Sequence, residues 1–265
     1  MPDDANPDWP SLIAEAVLAR PKAMVGSRHD GGIQTASRPQ KIICAGEVLY
    51  AVKFAQNNHG DGRATFTEQV VARAGRLINA PVPEVALVEV SDELVEAIRM
   101  SPSSHLDFQP TGGLHHGSLW ADSFGPRQQD LAYADHNRGA FAALDVMHAW
   151  LQCTGDHQWI YRDSAPHDVL SVDHTPFLPG GASWSGETLN DAASIVDADG
   201  MFTVLALTAE DRLPALERLV AVTAAEIAEV VAAPPDEWGV GSIDREALAS
   251  FLWTRRQSVA DRLGA

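Results

Sequence analysis

Apolar and polar positions follow two different rhythms along this chain, and the change between them falls before its middle. Leu12, Ile13, Ala16 and Val17 sit at helical spacing, and Pro21 and Gly26 close that segment. Residues 23–54 then carry short apolar runs broken by polar turns, which predicts strands over 23–25, 41–44 and 48–54, the last two joined by a hairpin turn at Ala45-Gly46-Glu47. FTEQVVARAGRLINAP reads as an amphipathic helix with Val70, Val71, Ala74, Leu77 and Ile78 inward; Pro81 and Pro83 end it, and another strand follows from Val85 to Val90. Residues 91–108 pass from a short helical pattern into a polar Ser/Pro stretch, where a boundary is expected.

Beyond that boundary the rhythm is mainly helical. NRGAFAALDVMHAWLQ holds too many large apolar groups for an exposed face and is predicted to be a central core helix, with Asp145 and His148 as a buried polar pair. Residues 209–235 contain two helical patterns that break near Thr223, and a last helix opens near Asp244. Between them HTPFLPGGASWSGETLND reads as a rigid loop rather than a helix start, and the glycine-rich GGLHHGS with His115 and His116 reads as a loop or a polar cleft. The fold class expected is α+β, a small antiparallel β-rich unit over 1–104 with one packed helix, and a larger, mainly helical unit over 105–265.

Composition narrows the partners. Thirty-six acids against nineteen Lys and Arg give a formal net charge of -17 with no basic block, so no nucleic-acid partner is expected. Cys44 and Cys153 form no ligand or redox motif and are expected as free thiols. The start, MPDDANPDWP, lacks a basic region leading into an apolar one, and no apolar run approaches the roughly 20 residues that span a bilayer. The expectation is a cytoplasmic protein with no membrane partner.

Candidate chemistry concentrates between positions 150 and 180. Asp156 sits in a polar stretch with His157 and Gln158, and Asp173 ends the apolar run Val169, Leu170, Ser171, Val172. One acid in a loop and a second at a strand end can hold a general base beside a nucleophile and a ligand on a metal. Taken singly, either acid could equally cap a turn. Lys53, amid Tyr50, Val52 and Phe54, needs either an open edge or an acid, and Glu68 in the next helix is the nearest good partner. His115, His116, His157, His167 and His174 keep metal-dependent hydrolysis open, although no HExxH spacing occurs.

YAVKF with NNHG, TEQVVARAGRLINAPVPEVALVEV, GGLHHGS, NRGAFAALDVMHAWL, GDHQWIY and VDHTPFLPGGASW occur in an order and spacing that resemble the HipA-like kinases, in particular their small stand-alone bacterial members. The resemblance covers roughly residues 23–184. It implies a protein-kinase-like bilobal fold with ATP in the cleft and Mg²⁺ as its metal. Carried over, Lys53 would touch the nucleotide's phosphates, Glu68 would hold that lysine, Asp156 would take the proton of the attacking hydroxyl, and Asp173 would hold Mg²⁺. The activity implied is transfer of a phosphoryl group from ATP to a hydroxyl of a protein or small molecule. The chain departs from the family where a second metal-binding Asn is usual, since position 161 is Tyr, which leaves Gln158 or water for that place. His174-Thr175 also replaces the usual aromatic-glycine pair after the metal-binding acid, and the phosphate-covering loop has few glycines. A degenerate kinase fold that binds nucleotide or a partner protein without transfer is the alternative.

Overall fold

A computed structural model describes residues 6–33, 35, 38–55, 62–101, 109–125, 129–153, 158–194 and 203–264. Five strands make a closed barrel: β1 (Met24–Gly32), β2 (Gln40–Cys44), β3 (Val48–Lys53), β4 (Val85–Val90) and β5 (Gly113–Leu119), in the order β1-β2-β3-β5-β4. The predicted hairpin is present: Cys44 opposes Val48 across a 3-10 turn at Ala45–Glu47, where Gly46 takes a φ of 78°. The small antiparallel sheet expected from the sequence closes on itself because β1 runs parallel to β4, with Met24 against Val88 and Val25 against Glu89. β1 also runs on to Gly32, well past the strand end expected at residue 25, so part of the polar stretch between the first two predicted strands is itself strand, paired with β2.

β5 corrects the reading of GGLHHGS as a loop. The strand lies between β3 and β4 and extends the barrel past the boundary expected near residue 104. Gly117 is the reason glycine appears inside it: a Cβ there would stand 2.5 Å from Val88 Cγ2, so only glycine lets these strands approach. Ile42, Val52, Phe54, Val88 and Val90 form the barrel's own core with Leu94, Val95 and Ile98 of α3 (Asp92–Arg99), which Ser91 caps.

The remaining elements share one continuous core with α2 (Arg63–Leu77). α1 (Trp9–Leu18) packs on the C-terminal helices α8 (Ala224–Ala232) and α9 (Ser242–Leu263). α4 (Gln129–Ala132) precedes α5 (Asp135–Leu151), the predicted core helix. α5 crosses α2 closely at Gly75, where a Cβ would lie 2.6 Å from Met147 Sδ. The break near Thr223 is also as predicted: α7 (Ala209–Ala221) ends there and Thr223 opens α8 through a capping box with Glu226.

Three local readings change. Gln158 is not in a loop but opens a strand, β7 (Gln158–Arg162), which pairs with β6 (Ser123–Phe124) and with β8 (Val169–Val172). The segment taken as rigid loop contains a helix, α6 (Gly186–Ala192), started by a reciprocal cap between Ser185 and Thr188 that the prolines and glycines before it obscured. Asp145 takes its partner from outside α5: Arg212 of α7 donates to it at 2.6 Å. Arg212→Met would strand that buried carboxylate and is expected to cost roughly 2–3 kcal/mol in chemical denaturation, partly limited by protonation of Asp145, whose pKa burial already raises.

Among the described residues no helix is long and apolar enough to cross a membrane. Neither Cys44 nor Cys153 forms a disulfide, and Cys44 is buried, which pushes its pKa up to about 11.

Candidate functional site

Alternation along β3 decides where Lys53 points. Tyr50, Val52 and Phe54 belong to the barrel core, so Lys53, one position out of step, projects from the other face toward α2. There its Nζ donates to Glu68 Oε1 at 2.6 Å and to Asp173 Oδ1 at 2.7 Å. The open-edge alternative for this lysine falls away, because the residue is buried and its ammonium is paired twice. Three groups separated by 15 and 120 residues in the chain thus meet at one point.

The two carboxylates are held differently. Glu68 has a 3% exposed side chain, and its Oε1 also accepts from Thr175 N at 3.1 Å and Thr175 Oγ1 at 2.8 Å. Asp173 is 34% exposed and makes the outer arm of the pair. It follows β8 with a φ of 60°, a left-handed conformation that Asp tolerates through its short polar side chain. That turn carries Thr175 back to Glu68. Gln158 lies opposite Val172 in the β7–β8 ladder, and its Nε2 donates to Asp173 Oδ2 at 3.0 Å.

Histidines surround the inner carboxylate. His116 stands directly opposite Lys53 in the β3–β5 ladder, and His174 Nδ1 lies 3.9 Å from Glu68 Oε2 while its Nε2 meets Ser171 Oγ at 2.9 Å. Burial drives both pKa values down, to about 3 for His116 and about 4 for His174, against the opposing pull of Glu68. Both rings are therefore neutral near pH 7. Burial also acts against charge on Glu68 and Lys53, but their partners win: Lys53 and the neighbouring rings hold the Glu68 carboxyl well below the usual range, and Glu68 with Asp173 raises the Lys53 ammonium. The charged set is one cation between two anions, a net negative site with its exposed edge at Asp173.

α2 is pinned at this end. Trp184, wholly buried, donates from Nε1 to Thr67 Oγ1 at 2.8 Å, and Arg63 donates to Trp184 O at 3.0 Å and to Asp244 Oδ2 at 2.8 Å. Glu68, one residue after Thr67, is thereby fixed by both neighbouring turns of the helix and by Thr175.

Of the residues singled out in the sequence, Lys53, Glu68, Asp173 and Gln158 come together, while Asp156 and His157 lie outside the described residues. Tyr161 is fully buried in β7 opposite Val169, a packing position rather than a ligand position. His115 and His116 point to opposite faces of β5, and His115 instead packs on Phe54 and bonds Thr111 O at 2.8 Å. Among the described residues no group of three or more His, Cys, Asp or Glu is placed to hold a metal ion, so the histidine-rich hydrolase reading gains no support there. Thr175 was not legible as a site residue, since its partner Glu68 is remote in sequence and it belongs to no spaced motif; His116 was singled out as a possible metal ligand and lies instead beside Lys53 and Glu68.

Fold and site together define an α+β chain with a lysine held between a buried and a half-exposed carboxylate, where a closed barrel meets a helical body. No protein-family model, no curated protein and no solved structure matches this chain.

Proposed function

We propose that the chain is an ATP- and Mg²⁺-dependent phosphotransferase of protein-kinase-like, bilobal design that moves a phosphoryl group to a hydroxyl of a protein or small molecule. The observation that carries this reading is Lys53 Nζ, shared between Glu68 at 2.6 Å and Asp173 at 2.7 Å. A strand lysine steadied by a helix glutamate is suited to orienting a triphosphate, and Glu68, tied down by Thr175 as well, is the partner that would stay. Asp173, the more exposed partner, is the one that phosphates would displace from the ammonium.

The donor set fits Mg²⁺ as a metal that takes most of its ligands from phosphates and water. Asp173 offers a half-exposed carboxylate and Gln158 a side-chain amide that can turn its oxygen inward, whereas a structural zinc would need a cluster of nitrogen or sulfur ligands, and the described residues gather none. Bound there, Mg²⁺ would neutralise charge on the transferring phosphoryl group. Asp156 would accept the proton from the acceptor hydroxyl.

The test is incubation with γ-labelled ATP and Mg²⁺, following label on the chain itself and in released phosphate. Transfer is expected in the wild type and is expected to fall by about 10²–10⁴ in Asp156→Asn with nucleotide affinity preserved. Normal ATP binding with no transfer to protein or water would overturn the assignment.

A second reading has an observation of its own. Both Asp173 oxygens are engaged, Oδ1 by Lys53 and Oδ2 by Gln158, and Tyr161 fills with a buried ring the place where the resemblance leads one to look for a second metal ligand. This favours a degenerate kinase fold that binds nucleotide through Lys53 without metal. Calorimetry would then give the same heat for ATP with and without Mg²⁺.

A further inference from the structure

A cavity of about 630 Å³ opens where α1, α2, β4 and α8 meet; Lys53, Glu68 and Asp173 take no part in its lining. Its volume suits a small organic molecule. The charge of its wall differs from that of the chain. Against a net charge of -17 overall, the lining holds four basic side chains and three acidic ones.

Several of those charges are already committed. Arg20 donates to Ala232 O at 2.7 Å and to Asp236, and Glu226 serves as the cap of Thr223. Arg73 and Arg76 are different. They stand three apart on α2, as neighbours on one helix face, and among the described residues neither has a carboxylate within ion-pair distance. Arg73 is half-buried and aimed by a relay: its Nε donates to Gln69 Oε1 at 3.0 Å, and the fully buried Gln69 donates from Nε2 to Ala86 O at 2.7 Å. One edge of the guanidinium is thus fixed to the barrel, which leaves its terminal nitrogens for a ligand. Burial and the charge of Arg76 both hold the Arg73 pKa down, with Glu84 opposing, so an anion here would relieve a repulsion already present. Leu77 and Val230 add apolar wall beside these groups.

We propose that this cavity binds a small organic anion, its carboxylate or phosphate-monoester headgroup on Arg73 and Arg76 and a short apolar body against Leu77 and Val230. Glu84 and Glu229 in the same lining disfavour a polyanion such as a nucleoside triphosphate, so the site is distinct from the one proposed for ATP and does not depend on it.

The experiment is titration calorimetry on the full chain with hexanoate and with hexyl phosphate, in low salt and with Mg²⁺-ATP present or absent. At least one probe is expected to bind, with an affinity that Mg²⁺-ATP leaves unchanged and that falls at least about tenfold in Arg73→Met. Whichever probe binds more tightly identifies the headgroup. Arg76→Ala, at an exposed position where the chain is expected to stay folded, is expected to weaken binding by about threefold or more. Absence of heat with both probes at millimolar concentration, or affinities that neither substitution changes, would overturn the proposal.

Discussion

Lys53→Met is expected to lower the free energy of unfolding by about 3–5 kcal/mol, because it leaves Glu68 buried without its cation. Methionine fills nearly the same volume, so packing contributes little to the loss. What remains is a buried carboxylate whose hydrogen bonds among the described residues come from Thr175, beside His116 and His174, two rings that are neutral near pH 7 with Lys53 in place. If that is the cause, removing the charge as well should restore stability. Lys53→Met with Glu68→Gln is therefore expected to recover about 2 kcal/mol or more over the single variant, since an amide keeps the Thr175 contacts at lower desolvation cost. Urea unfolding of the wild type, both single variants and the double variant measures the coupling. A single variant within about 1 kcal/mol of wild type would mean that the pair carries little of the fold.

The second large effect is a loss of stability in weak acid that begins above the range of carboxylates. Burial holds His116 and His148 down to about 3 and His174 to about 4, whereas an unfolded chain binds a proton at each near 6.5. A group whose folded pKa is depressed contributes stability above its unfolded value and loses it as pH falls toward the folded one. The window here runs from about 6.5 down to about 4 for His174 and to about 3 for His116 and His148. Three such groups give a limiting slope of about 4 kcal/mol per pH unit, enough to exhaust an ordinary domain's stability of about 5–15 kcal/mol within that window. Glu68 acts in the same direction but at lower pH, since its carboxyl is held below the usual range. Unfolding free energies at about pH 7, 6 and 5 test this, with histidine proton resonances to assign the groups. Histidines that titrate near 6.5 in the folded protein, or a slope no steeper than one proton, would refute it.

The sequence disclosed the site's charged members better than it disclosed their surroundings. Lys53 was legible because an ammonium amid apolar strand residues demands an acid, and Glu68 because it stands early on the helix that follows. Asp173 was legible as the polar end of a four-residue apolar run. That Asp173 would join the other two was implied only by the resemblance, since the meeting depends on a left-handed turn at Asp173 and on the β7–β8 ladder, and neither has a local signature. β5 was hidden by the glycine that its close packing requires, and the parallel closure of the barrel joins strands about sixty residues apart, beyond the reach of any periodicity. Asp145 shows the same limit: its neighbour His148 lies one helical turn away, yet the partner that neutralises it is Arg212, 67 residues on. By contrast the start of α8 at Thr223 was readable, because a threonine followed by glutamate three positions later is a complete local cap.

The lysine and its two acids are expected to close around a nucleotide, and a crystal structure with Mg²⁺ and a non-hydrolysable ATP analogue tests that most directly. The expected result has the phosphates on Lys53 Nζ, the Lys53–Glu68 contact intact, and Asp173 turned from the lysine to the metal. A nucleotide bound elsewhere, or Lys53 still bridging both carboxylates at saturating analogue, would contradict it.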